Sequence, residues 1–111
     1  MKILFDQGTP VPLRRALLDH VMDTAYEQGW SALTNGDLLN MAEHNGYDLL
    51  ITTDQNLRHQ QNLASRQIAV VVLLSTSWTR IQQHIDAIHN VIDNSVAGAY
   101  QEITIARQNN T

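Results

Sequence analysis

The chain has 111 residues, room for one domain around one core, and 43% of them are hydrophobic, which excludes a disordered chain. It has no cysteine and a formal net charge of −4. Disulfides and thiolate metal sites are therefore excluded, a reducing cytoplasm is the expected compartment, and no broad basic face is available for nucleic acid. The only lysine is Lys2, so any hold on a phosphate falls to a few arginines. No apolar stretch approaches the roughly 20 residues that span a bilayer, and Asp6 breaks the first apolar run before it can read as a leader.

Lys2 to Asp6 reads as the first strand, and Gln7-Gly8-Thr9-Pro10 as a turn. Pro12 suits the first turn of a helix, where a missing N–H costs nothing. Leu13, Ala16, Leu17 and His20 then share one helical face. Val21 to Ala25 is a second strand, followed by a loop with Trp30 as its anchor. Asn35 or Gly36 is placed to cap a helix from Asp37 to Asn45, which Gly46 ends in the left-handed conformation. Tyr47 to Thr53 is the third strand, and Gln55 to Ser65 a polar helix or turn. Gln67 to Leu74 is apolar on both faces, as a central parallel strand must be.

Ser75 or Ser77 caps the longest helix, Trp78 to Asn94, with a stripe of Ile81, Ile85, Ile88 and Ile92. Ala99 to Ile105 alternates like an edge strand. The alternation of strands and helices predicts a three-layer α/β domain over residues 1–106, with a mainly parallel sheet of about five strands. Residues 107–111 form a polar tail.

Asp6 and Asp54 each follow a short apolar run, Ile3-Leu4-Phe5 and Leu49-Leu50-Ile51, the latter through Thr52-Thr53. Open α/β sheets bind ligands beyond the carboxyl ends of their strands, where chain order reverses. If strands one and three are neighbours, both acids stand at that crevice. Two adjacent carboxylates repel each other, and a divalent cation removes the cost. Thr53 and Asn56 add oxygens of the kind Mg²⁺ and Mn²⁺ prefer. Asp37, opening its helix, is a third candidate acid. Arg14 and Arg58 are candidates to hold a phosphate. The five histidines show no pair at the i, i+4 spacing of helical zinc sites and read as satisfied or solvated. Trp30 and Trp78 read as packing anchors, and Glu43, Asp19 and Asp93 as surface residues.

The opening Met1-Lys2-Ile3-Leu4-Phe5-Asp6-Gln7, the helix start Asn35-Gly36-Asp37-Leu38-Leu39, Gly46-Tyr47-Asp48-Leu49-Leu50 and Thr52-Thr53-Asp54-Gln55-Asn56-Leu57 together resemble a family of small PIN-like proteins. That family is mostly grouped as a domain of unknown function and commonly predicted to be toxins of toxin–antitoxin modules. The similarity covers roughly residues 1–74; the last third is similar in layout only.

The resemblance implies a Rossmann-like PIN-type fold and a metal-dependent ribonuclease using Mg²⁺ or Mn²⁺. By position, Asp6 matches the first-strand acid, Asp37 the helix acid and Asp54 the acid of the Thr-x-Asp strand end. It implies an RNA substrate, a small antitoxin partner from a neighbouring gene and compatibility with a homodimer, with no membrane partner. Two departures stand out: Gln7 replaces the Glu that many relatives carry after the first Asp, and Arg58 occupies the region where a fourth acid would be sought. A catalytically degenerate PIN-like scaffold that binds a partner is the alternative. A phospho-receiver, with Asp54 as acceptor, needs a lysine at the end of its fifth strand, and residues 99–105 contain none.

Overall fold

Five short strands form one sheet in which every neighbouring pair is parallel. They are β1 (Lys2–Phe5), β2 (Val21–Thr24), β3 (Leu49–Thr52), β4 (Ala69–Leu73) and β5 (Tyr100–Ile103). The computed structural model describes residues 1–17, 19–57 and 63–106. Spatial order is β2-β1-β3-β4-β5, one of the two common doubly wound orders. The single α/β domain and its five-stranded parallel sheet are those expected from the sequence, and chain order reverses between β1 and β3.

The central strands are buried on both faces, and their composition explains why. Every residue of β3 and β4 is inaccessible to solvent or nearly so. Each fully buried Val, Leu or Ile contributes about 1.5–3 kcal/mol. Alternate residues point to opposite layers. Ile3, Phe5, Leu49, Ile51, Val71 and Leu73 pack under α1 (Leu13–Ala16) and the C-terminal helices. Leu4, Leu50, Val70 and Val72 pack under α2 (Asn35–His44), with Tyr47 and Leu57 closing that layer. Trp30 stands edge-on to Tyr47 at 6.1 Å, and Trp78 packs against the first layer, so both tryptophans are anchors.

Several boundaries differ from those expected. The α2 helix is capped by Thr34, whose hydroxyl accepts from the Asp37 N–H, rather than by Asn35 or Gly36. Gly46 does end it at φ +80°. The long C-terminal helix is three pieces: α3 (Trp78–Ile81), a 3-10 turn (Gln82–His84) and α4 (Ile85–Asp93). Ser77 caps the first of them, accepting from the Arg80 N–H. The first helix stops at Ala16, so His20 leaves the helix face expected for it and sits in the turn before β2. Between β3 and β4 the described residues, 53–57 and 63–68, include a 3-10 turn, Leu63–Ser65. The expected polar tail lies outside the described residues.

Glu43, expected to be solvated, is a strut. Its carboxylate accepts from Arg66 Nη1 at 2.5 Å and from the Gln67 N–H at 2.9 Å, tying α2 to the approach to β4. Burial pushes its carboxyl up, but the Gln67 amide and the Arg66 guanidinium more than offset that and hold it below the ordinary glutamate range.

Candidate functional site

The β1–β3 ladder runs out to Asp6 itself, whose N–H donates to the Ile51 carbonyl at 2.9 Å. The same carbonyl accepts from the buried Thr9 hydroxyl at 3.1 Å, which draws the turn after β1 against the end of β3. Gly8 makes this turn possible: its φ is +95°, and a Cβ there would stand 3.3 Å from Thr53 Oγ1. Asp6 is thus level with Thr52, and Asp54 follows two residues later, so both acids stand beyond the carboxyl ends of adjacent strands at the reversal of chain order.

One hydroxyl joins them. Thr52 Oγ1, fully buried, donates to Asp6 Oδ2 at 2.8 Å and accepts from the Asp54 N–H at 3.0 Å. Asp6 Oδ1 also accepts from the Gln7 N–H at 2.7 Å. Asp54 Oδ1 accepts from the Asn56 N–H at 2.9 Å, and Oδ2 from Asn35 Nδ2 at 2.8 Å. Burial pushes the Asp6 carboxyl above its ordinary range; the Thr52 and Gln7 hydrogen bonds oppose this, and the Asp54 charge adds to it. Asp6 therefore carries an electrostatic cost, chiefly of burial. The pair's donors are all oxygens, and each carboxylate oxygen accepts one of the hydrogen bonds just named and has a second lone pair, which fits a hard cation such as Mg²⁺ or Mn²⁺.

Asp37 is not drawn in. It is exposed in the first turn of α2, and the three acids do not present ligand atoms within 4.8 Å of one another. The start of α2 reaches the pair instead through the amide of Asn35. Among the other candidates, Arg14 is engaged with Glu27 Oε1 at 2.9 Å and the Met22 carbonyl at 2.6 Å, fastening α1 to β2. Thr53 packs against the Gly8 turn, and Asn56 closes a turn on Asp54 through its backbone. Arg58 lies outside the described residues. A shallow groove of about 210 Å³ leads from Asp6 past Gly8 and Val11 to Tyr26, whose ring is 79% exposed. Tyr26 has no local pattern that marks it; only the fold brings it beside Asp6. No lysine stands at the end of β5, and Lys2 is at the other edge, its Nζ donating to the Asn45 carbonyl at 2.9 Å.

A second cluster corrects the view of the histidines as isolated. His20, His89 and Asp93 present ligand atoms within 4.8 Å of one another, a set capable of holding a divalent metal ion, and the one such group of three among the described residues. His89 and Asp93 are one turn apart on α4, a spacing legible in the sequence; His20 comes from the turn before β2 and carries no local mark. This cluster sits at the amino edge of the sheet, because His20 immediately precedes β2. Asp6 stands beyond the opposite end of the paired strand β1.

No family model, no curated protein and no solved structure matches this chain. Among the described residues no helix is long and apolar enough to cross a membrane.

Proposed function

We propose that the crevice between β1 and β3 is the active site of a divalent-metal-dependent ribonuclease, the toxin of a toxin–antitoxin pair, as the PIN-like resemblance implies. The observation that carries the proposal is the meeting of Asp6, through its carboxylate, and Asp54, through its backbone N–H, on the Thr52 hydroxyl at the point of chain reversal. Asp6 and Asp54 would hold the cation, and Thr52 and Asn35 fix the directions in which their oxygens point. A bound Mg²⁺ or Mn²⁺ supplies a Lewis acid for the phosphate and acidifies a water. The groove supports single-stranded RNA as substrate: the exposed Tyr26 ring offers a face on which an unstacked base can rest. The small antitoxin would cover this same mouth.

One observation favours the alternative of a partner-binding scaffold. All four oxygens of the acid pair already accept hydrogen bonds from the protein, and among the described residues no third carboxylate completes the set. A cleavage assay separates the two. Purified chain free of any partner is given single-stranded RNA with Mg²⁺ and with Mn²⁺, beside a chelator control. Metal-dependent cleavage lost in Asp6→Asn and Asp54→Asn, and reduced in Tyr26→Ala, is the expected result. Protein that binds either metal yet leaves RNA intact would be the scaffold.

A further inference from the structure

The cluster at the amino edge has features that an ordinary surface ion pair lacks. His20 has a side chain only 10% exposed, and neither of its ring nitrogens has a hydrogen-bond partner among the described residues. Burying such a group unpaired is costly. Its Nε2 lies 3.3 Å from Asp93 Oδ1 without hydrogen-bond alignment. His89 Nδ1 lies 2.9 Å from the other oxygen, Asp93 Oδ2. His89 Nε2 is hydrogen-bonded to Asp19 Oδ2 at 3.2 Å. A neutral imidazole carries one N–H. If that N–H is on Nε2 and donates to Asp19, Nδ1 turns its lone pair toward Asp93, beside a second lone pair from His20. Three electron-rich atoms then face one another, and a cation is what such an arrangement lacks.

We propose that His20, His89 and Asp93 bind a Zn²⁺-class ion, with Asp19 as the carboxylate that orients His89. Ligand atoms around tetrahedral zinc, at bond lengths of about 2.0–2.1 Å, are roughly 3.3 Å apart; here one ligand atom from each residue lies within 4.8 Å of the others, a set that small side-chain rotations would close on an ion. A carboxylate behind a ligating histidine fixes its tautomer and raises its basicity. Nitrogen donors separate this site from the all-oxygen crevice and select Zn²⁺ over Mg²⁺. The exposed side of Asp93 leaves a fourth position for water. The two sites do not share chemistry. About five residues of strand, roughly 16 Å, separate their levels, whereas cooperating metals sit about 3.5–4 Å apart. The zinc is therefore a clamp: it ties the turn holding Asp19 and His20 to the last turn of α4.

The proposal stands apart from the nuclease reading and is tested without activity. The full chain is stripped with a chelator, which is then removed, and titrated with Zn²⁺ against a chromophoric competitor while thermal unfolding is followed. Co²⁺ serves as a spectroscopic stand-in. We expect one zinc per chain, a raised melting temperature, and the absorption bands of nitrogen–oxygen coordination. His89→Ala and Asp93→Asn should each weaken zinc binding at least about tenfold. Asp54→Asn should leave it unchanged. Both test positions are substantially exposed, so the variants are expected to fold even if His20→Asn does not. Folded wild type that binds no zinc, zinc binding equal in wild type and His89→Ala, or zinc binding lost in Asp54→Asn would each overturn the proposal.

Discussion

Thr52 is the residue on which the crevice turns. It donates to one acid and accepts from the backbone of the other, with no exposure to solvent. Thr52→Val keeps the shape and removes both bonds, leaving the Asp54 N–H without its acceptor. The expected cost is about 1–3 kcal/mol, measured as a shift in the urea midpoint. Asp6 behaves in the opposite sense. Its folded carboxyl is raised above the ordinary value of 3.8, so the native state binds a proton more readily than the unfolded chain. By linkage, its cost is present above the folded pKa, shrinks as pH falls through it, and is gone below the unfolded value. In chelator, Asp6→Asn should therefore melt at or above the wild-type temperature near pH 7, and the difference should close toward about pH 4. Parallel melting curves for the two proteins across that range would show that the Asp6 carboxylate carries no such cost.

The elements were legible where one residue pattern decides one environment. Ile68 to Leu74 is apolar without interruption, and it became the doubly buried β4. Asp6 was legible because it stands directly beyond such a run, and Asp54 because it follows one through Thr52 and Thr53. Contacts between distant elements were not. Glu43 looks solvated in sequence because its partners, Arg66 and Gln67, lie more than twenty residues away. His20 looked like the end of a helix face because nothing local shows that the helix stops at Ala16. Asp37 looked like the acid of α2, whereas helix geometry presents Asn35 to the crevice. The Glu43 strut has its own consequence. Its carboxyl is held low, so its stabilisation is present above the unfolded glutamate range and is lost as pH falls through the lower folded value. Glu43→Gln should cost about 1 kcal/mol near neutral pH, the side chain being partly screened by solvent, and nothing once both forms are protonated. Chemical denaturation at two pH values checks this.

At the scale of the whole molecule, the two candidate metal sites occupy opposite edges of one sheet and differ in donor chemistry. Oxygen donors at the carboxyl edge suit Mg²⁺ or Mn²⁺, and imidazoles at the amino edge suit Zn²⁺. The crevice also has an origin that most binding loops lack. Asp6 and Thr52 are 46 residues apart in the chain, yet the side-chain hydrogen bond between them stands at the end of a ladder of the core. The Asp6 amide is fastened to the Ile51 carbonyl. It cannot open to solvent unless β1 parts from β3, and that parting dismantles both hydrophobic layers at once. In deuterium exchange this amide should therefore rank with the slowest in the protein, exchanging at the free energy of global unfolding, while exposed turns exchange early. Such a crevice is not a mobile loop that settles around its ligand: it is present whenever the chain is folded, and it disappears in the same cooperative step as the core.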